Sequence, residues 1–383
     1  MDPNLRIRLF DRVPGIQTAE RSVPLYIEKL YLDRFTTCIN EDWQRNKLSM
    51  LIGQPLGCDL TCYGIRNYSV DDEISPGDVV LPKTESDEIE REQDEEDLNL
   101  LNQMVTTETD TSASSRMVVS FHLSLQGDII LDEQLDYSRS LADAMKYLNK
   151  KLFGGRHHGI RVYWFYDGFG VLRLPADFRL TTKIWTITNN IEEVYSAYRD
   201  IMYEKSFPLK LLRFEGYGDY FSRSDNYQHP IVQSAGELFV FPEYGIENET
   251  EVVLGVKNSN FHFECALSMD TIKTAVESWI RNGKDIGSCF SFVVKKEADL
   301  KSLIEDLKKQ KNAKTEQVIM LGSSTFPDII IIPLENGSEV MIWCIDPDEK
   351  DEDHLDRWQL IIAFTEKGHY PFWDINFDND VFE

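Results

Sequence analysis

The sequence predicts an α/β (or α+β) fold. Irregular alternating strand–helix units form a mostly parallel curved sheet, with an antiparallel hairpin at the C-terminal edge. Three observations predict this. Short apolar runs rich in β-branched and aromatic residues recur between Arg161 and Val294. Amphipathic stripes at helical spacing lie between them. Beyond Asp328 the pattern changes to strands joined by an Asn336-Gly337 turn. Strands separated by helices need crossover connections and so favour parallel pairing. Asn-Gly between two apolar runs favours a hairpin.

The elements follow in order. In residues 1–55, a helical N-terminal region, Leu48, Leu51 and Ile52 stand at i, i+3, i+4 with Gly53 as a stop, which predicts a short helix. Over 56–70, Leu56, Cys58, Leu60 and Cys62 alternate with polar residues, which predicts a strand. Residues 71–115 are acidic, Ser/Thr-rich and without aromatics, which predicts a disordered linker or insertion. Residues 116–383 form the α/β domain. Val118–Leu125 and Ile129–Leu131 flank Gln126-Gly127-Asp128 as a hairpin. Leu141, Ala144, Met145, Leu148 and Leu152 mark a helix ended by Gly154. Arg161–Phe165 and Lys183–Thr188 are strands, and Asn190 caps a helix whose face is Ile191, Val194, Tyr195, Tyr198, Ile201 and Met202. Short strands are predicted at Leu211–Phe214, Glu237–Phe241, Val252–Val256, Cys289–Val294 and Gln317–Leu321. Helices are predicted through Ile272–Ile280, stopped by Gly283, and through Leu300–Leu307. The Asp328–Ile345 hairpin and a strand at Trp358–Thr365 close the chain.

The 383 residues are 42% apolar and 28% charged, enough to build one large core or several modest ones. The net charge of −26 is unevenly placed. Residues 71–110 carry −13, residues 346–356 carry −6, and the tail from Asp374 to Glu383 carries −4, so the remaining body is nearly neutral. Such a chain is a poor match for phosphate backbones, so nucleic acid is not an expected partner. No run reaches the roughly 18 apolar residues of a membrane helix, and the N-terminus lacks the build of a secretory signal. Six cysteines are too few for a disulfide framework in this length. A reducing compartment, cytoplasm or nucleus, is expected, and the sequons at Asn67, Asn248 and Asn336 are then chance matches.

Chemistry-bearing motifs are sparse. No dinucleotide or P-loop glycine pattern and no nucleophile elbow occurs, so no catalytic residue and no cofactor is expected. Cys58 and Cys62 share an apolar strand face and lack a second pair for zinc. His157 and His158 are loop neighbours that point apart. His122 and His262 lie in strand patterns and read as hydrogen-bonded structural residues. Asp346-x-Asp348 lacks the glycine and the final glutamate of a calcium loop. Aromatics tell more. Tyr217, Tyr220, Phe221 and Tyr227 crowd a Gly-containing stretch, which suits either a protein-binding surface or a loop folded onto the core. Tyr163-Trp164-Phe165-Tyr166 must present two rings to each side of a strand.

A resemblance gathers these observations. Ala235-Gly236-Glu237-Leu238-Phe239-Val240-Phe241, Glu251 to Asn260, and Ser268 to Gly283 with its Trp279-Ile280-Arg281-Asn282-Gly283 ending resemble the F-box-associated domain of the expanded nematode F-box family. Cys289–Val294 and Arg161-Val162-Tyr163-Trp164 also fit, and the likeness covers about residues 160–345. The family's F-box would fall near residues 20–55, in degenerate form, with Val23-Pro24-Leu25 and Ser49-Met50-Leu51-Ile52 similar to its ends. The resemblance implies a non-enzymatic substrate-recognition subunit of a cullin-type ubiquitin ligase. Leu25, Trp43, Leu48, Leu51 and Ile52 would then meet a Skp-type adaptor, and Tyr217, Tyr220, Phe221 and Tyr227 an unknown target protein. A ligase-independent acidic binding protein is the alternative. An enzyme with an unrecognised site is a remote third reading, which a pocket joining His157 or His158 to carboxylates would favour.

Overall fold

The computed structural model describes residues 21–32, 36–39, 46–53, 74–81, 117–125, 128–137, 141–168, 170–216, 223–242, 246–310, 312–317, 328–345 and 358–369. The chain divides into two compact units, Met1–Phe207 and Pro208–Glu383. Both are α/β, with parallel strands centrally and antiparallel strands toward an edge. Among the described residues no helix is long and apolar enough to cross a membrane.

The first unit contains β1 (Leu25–Leu32), β2 (Thr36–Ile39), β3 (Asn46–Gly53), β4 (Val79–Val80), β5 (Met117–Leu125) and β6 (Asp128–Tyr137). Helix α1 (Leu141–Phe153) follows, then β7 (Ile160–Tyr166), β8 (Val171–Leu172), β9 (Leu180–Thr181), β10 (Ile184–Ile187) and helix α2 (Ile191–Tyr198). The spatial order is β10-β7-β1-β2-β3-β5-β6, with β9 also on β7 and a separate β4–β8 pair. β1, β7 and β10 run parallel, whereas β1-β2-β3-β5-β6 is an antiparallel meander.

Three sequence expectations are corrected here. The helix expected at Leu48–Ile52 is strand β3, paired on one side to β2 and on the other to β5. Eight residues are too few for apolar spacing to separate helix from strand, and two ladders of backbone hydrogen bonds decide the matter. The described residues between 25 and 53 therefore supply sheet, not the helices implied for an F-box. Finally, residues 74–81 of the acidic stretch are ordered, with Val79 and Leu81 buried.

β1 explains why its sequence is hard to read. Leu25 and Ile27 are buried on one face while Tyr26 is exposed, and then Leu30 and Leu32 are buried on the other face. Side chains alternate along a strand, so burial changes face midway and no simple period survives. On β7 and β10, Phe165 and Trp185 meet Tyr198 of α2 edge-on, at 5.2 and 5.8 Å. The α2 cap is as expected: Asn190 accepts from the backbone N–H groups of Glu192 and Glu193.

The second unit contains β11 (Leu211–Gly216), α3 (Ser224–Gln228), α4 (Pro230–Ser234), β12 (Glu237–Pro242), α5 (Glu249–Gly255), β13 (Asn260–Ala266) and α6 (Met269–Asn282). Then come β14 (Cys289–Val294), α7 (Glu297–Lys308), β15 (Lys314–Gln317), β16 (Asp328–Pro333), β17 (Ser338–Ile345) and β18 (Trp358–Glu366). β11 to β14 are parallel neighbours in sequence order. β14 then pairs antiparallel with β18, and β17, β16 and β15 continue outward, also antiparallel. The hairpin at Asn336-Gly337 is therefore as the sequence predicts. The strand expected at Val252–Val256 is instead helix α5, whose Val252 and Val253 are buried. Val252, Val253 and Val256 at i, i+1, i+4 fit a helix face, so tertiary burial overrides β-branched propensity.

β14 is buried along its whole length. On one face, Trp279 of α6 stacks on Phe290 with ring centroids 4.2 Å apart and reaches Phe292 at 5.9 Å. On the other, Cys289 joins Ile329, Ile331, Met341, Trp343, Ile361 and Ala363 in a second apolar cluster. Burial first, and the nearby Glu237 charge second, push the Cys289 thiol up to about 12, so it packs as a small apolar group. α6 ends at Gly283, whose φ of +74° suits glycine and whose N–H donates to Trp279 O.

Candidate functional site

In the second unit, α5 follows β12 and α6 follows β13, so both helices begin beyond the carboxyl ends of parallel strands. A groove of about 540 Å³ lies at this position, lined by Ile246, Asn248, Glu249, Thr250, Glu251, Leu254 and Thr271. Its framework is specified locally. Ser268 caps α6 by accepting from Thr271 N at 3.2 Å. Thr271 Oγ1 is 2.8 Å from Thr250 Oγ1, which ties α6 to α5. Glu249 Oε2 accepts from Ser268 N at 3.0 Å and ties them again. Asn248 enters α5 in the left-handed region, with φ 54°, a conformation asparagine tolerates better than most residues.

The lining has a definite chemistry. Ile246 and Leu254 supply apolar surface, Thr250 and Thr271 supply hydroxyls, and both charged residues, Glu249 and Glu251, are acidic. Leu254 and Glu251 are exposed. Among the described residues, no nucleophile–base pair stands in the groove. It is suited to hold a segment with a cation beside an apolar side chain.

A second polar row crosses β12, β13 and β14. His262 Nδ1 lies 2.9 Å from Ser291 Oγ, and His262 Nε2 lies 3.0 Å from Glu237 Oε1. Gln359 of β18 donates to Ser291 Oγ at 3.3 Å. The residue types match a hydrolytic triad. Ser291 is only 1% exposed, however, so its hydroxyl braces strands rather than meeting a substrate. The structural reading of His262 made from sequence agrees with this.

The first unit holds a third cluster, which sequence reading missed. Ser75-Pro76-Gly77-Asp78 is a tight turn in which Asp78 N donates to Ser75 O at 3.0 Å. Pro76 at the second position and Gly77 at the third, with φ +91°, are the residues a type II turn selects. A Cβ on Gly77 would lie 2.5 Å from Ala176 N, so the turn sits directly on that backbone. The Asp78 side chain is fully buried. Its Oδ2 accepts from Ser75 N, Ser75 Oγ and Arg173 NH1 at 2.9, 2.9 and 2.8 Å. Its Oδ1 accepts from Lys146 Nζ of α1, which also donates to Pro76 O at 2.7 Å. Burial pushes the Asp78 pKa up, but the hydrogen bonds from Lys146, Ser75 and Arg173 outweigh it and hold the carboxyl below its ordinary value. The Pro-Gly pair was the available signal; acidic composition obscured it.

The expected site residues fare unevenly. Leu25 is 0% exposed inside β1 and so offers no docking surface; it faces the core because its neighbour on β7 is the buried Ile160. Tyr227 is also 0% exposed, its ring edge-on to Phe214 at 5.8 Å. It belongs to the core, which the bulk of an aromatic ring favours. Leu48, Leu51 and Ile52 lie on β3. Trp43, Tyr217, Tyr220 and Phe221 lie outside the described residues, as do the Cys58/Cys62 strand and the segments 346–356 and 374–383. His157 and His158 are exposed loop residues. Among the described residues, no three His, Cys, Asp or Glu side chains are grouped to hold a metal ion.

Comparison with known proteins adds one likeness. Residues 140–296 match a family model described as a domain of unknown function (DUF3557). The match contains the groove residues together with Glu237, His262 and Ser291, and leaves out Gln359, β1 to β6, α7 and β15 to β18. No curated protein and no solved structure matches the chain.

Proposed function

We propose that the chain is a non-enzymatic protein-interaction module. Its groove between α5 and α6 takes a short partner segment carrying a lysine or arginine beside an apolar residue. The observation that carries this reading is the lining, where Glu249 and Glu251 flank Ile246 and Leu254. A cation there gains charge-assisted hydrogen bonds while its neighbour removes apolar area from water. The net charge of −26 would speed the approach of a basic partner.

The test is peptide selection on the full chain, followed by Glu251→Lys and Leu254→Asp. Both residues are exposed, so neither change disturbs the core. The selected peptides should be enriched in a basic residue next to an apolar one, and each variant should bind them at least tenfold more weakly, the loss expected for one contact worth about 1.4 kcal/mol. Selection of acidic or purely apolar peptides, or unchanged binding by both variants, would refute it.

The ligase-subunit role is the second reading, supported by the resemblance over about residues 160–345. It requires a Skp-type adaptor to recognise something other than a helical segment at 25–53, since those described residues are strands. Reconstitution with such an adaptor tests it. A full-length protein that never forms the complex loses the ligase role and keeps the interaction module.

A further inference from the structure

We propose that Ser75 is a phosphorylation site, and that phosphate there releases the strap formed by residues 74–81. This inference concerns the first unit and does not depend on the groove.

The strap is held by a short set of contacts, among them Leu81 N donating to Gly170 O at 2.9 Å. Val79 and Leu81 are buried, and β4 pairs with β8 over two residues only. The Asp78 carboxylate anchors the turn to α1 through Lys146 and to β8's neighbour Arg173. Of the side-chain donors on that carboxylate, Ser75 Oγ is the neutral one. It lies between Ile74 and Pro76, both exposed. Pro76 directly follows Ser75, which is the feature a proline-directed protein kinase reads. Asp78, three residues on, is buried, so an acidophilic kinase has no access to it in the folded chain.

The modification transforms the anchor. Ser75 Oγ attacks the γ-phosphorus of ATP, the bond from that phosphorus to the bridging β-phosphate oxygen breaks, and ADP leaves. The hydroxyl proton passes to the kinase's base. The product has no hydrogen to donate to Asp78, and it sets a charge of about −2 against a buried carboxylate. Lys146 is the anchor's more exposed cation, with 24% of its side chain accessible, and it can turn to the phosphate. Among the described residues, Asp78 then keeps Arg173 as its charged partner while facing a like charge.

The experiment treats the purified full chain with a proline-directed kinase and ATP, maps phosphate by mass spectrometry, and follows amide hydrogen exchange over residues 74–81. Phosphate on Ser75 with roughly tenfold or greater loss of protection at Asp78 and Leu81 is expected, as for losing a charge-assisted hydrogen bond. Pro76→Ala, which leaves the hydroxyl in place, should suppress labelling. The proposal fails if Ser75 is unlabelled in the full chain, whether or not a peptide of residues 70–82 is labelled. It also fails if an acidophilic kinase alone labels Ser75, or if labelled chain keeps its protection.

Discussion

Asp167 shows what a single buried group does to the pH dependence of stability. It closes β7, and its Oδ1 accepts from Thr188 N and Oγ1 at 3.0 and 3.2 Å. Its Oδ2 is buried without a hydrogen-bond partner. Burial dominates over the Thr188 hydrogen bonds and raises its pKa from the ordinary 3.8 to about 8. The folded chain holds this proton where the unfolded chain releases it. The contribution is therefore complete below pH 3.8, shrinks as the unfolded carboxyl ionises, and is gone above about pH 8. Asp167→Asn keeps an acceptor for Thr188 and removes the titration. Denaturation midpoints measured from pH 5 to 8 should fall for the wild type relative to the variant; parallel curves would contradict this account. Asp78 has the opposite sign: its lowered pKa contributes stability above the ordinary carboxylate value that is lost on acidification.

At the scale of elements, α6 is where sequence and structure agree most closely. Of the predicted stripe Ile272, Ala275, Val276, Trp279 and Ile280, the first four are buried and Ile280 is half-buried, and Gly283 ends the helix as expected; the Ser268 cap is a feature the structure adds. Ser268→Ala should cost about 1 kcal/mol, read from urea denaturation, because Thr271 N loses its acceptor. A cost near zero would mean that water replaces the cap. Legibility fails where an element depends on distant partners. β3 carries helical spacing in a segment fixed by two neighbouring strands, and α5 carries strand-forming valines in a segment fixed by what it covers. The groove was illegible for the same reason. Thr250 and Thr271 are 21 residues apart, and only the pairing of β12 with β13 brings their hydroxyls together. The Ser75–Asp78 turn, by contrast, was written locally and was masked by the acidic residues around it.

At the scale of the molecule, the acidic stretch is not one thing. Residues 74–81 are part of the first unit's fold, and Asp78 is a charge the core requires. Deleting 75–112 removes Asp78, Val79 and Leu81 together. Breaking a buried ion pair typically costs about 3–5 kcal/mol, so the deletion should lower the unfolding midpoint by several degrees. An unchanged midpoint would show that the strap adds nothing.

β14 has a consequence for how the chain is made. It is the last parallel strand, buried on both faces, and its antiparallel neighbour is β18, with Cys289 opposite Ala363. During synthesis, β11 to β14 emerge and can pair while residues 358–366 do not yet exist. Until then, one edge of a strand buried along its whole length presents open N–H and C=O groups. Edges of this kind recruit other chains. Protection of the nascent second unit by a chaperone should therefore matter most in the interval between the synthesis of Val294 and that of Glu366.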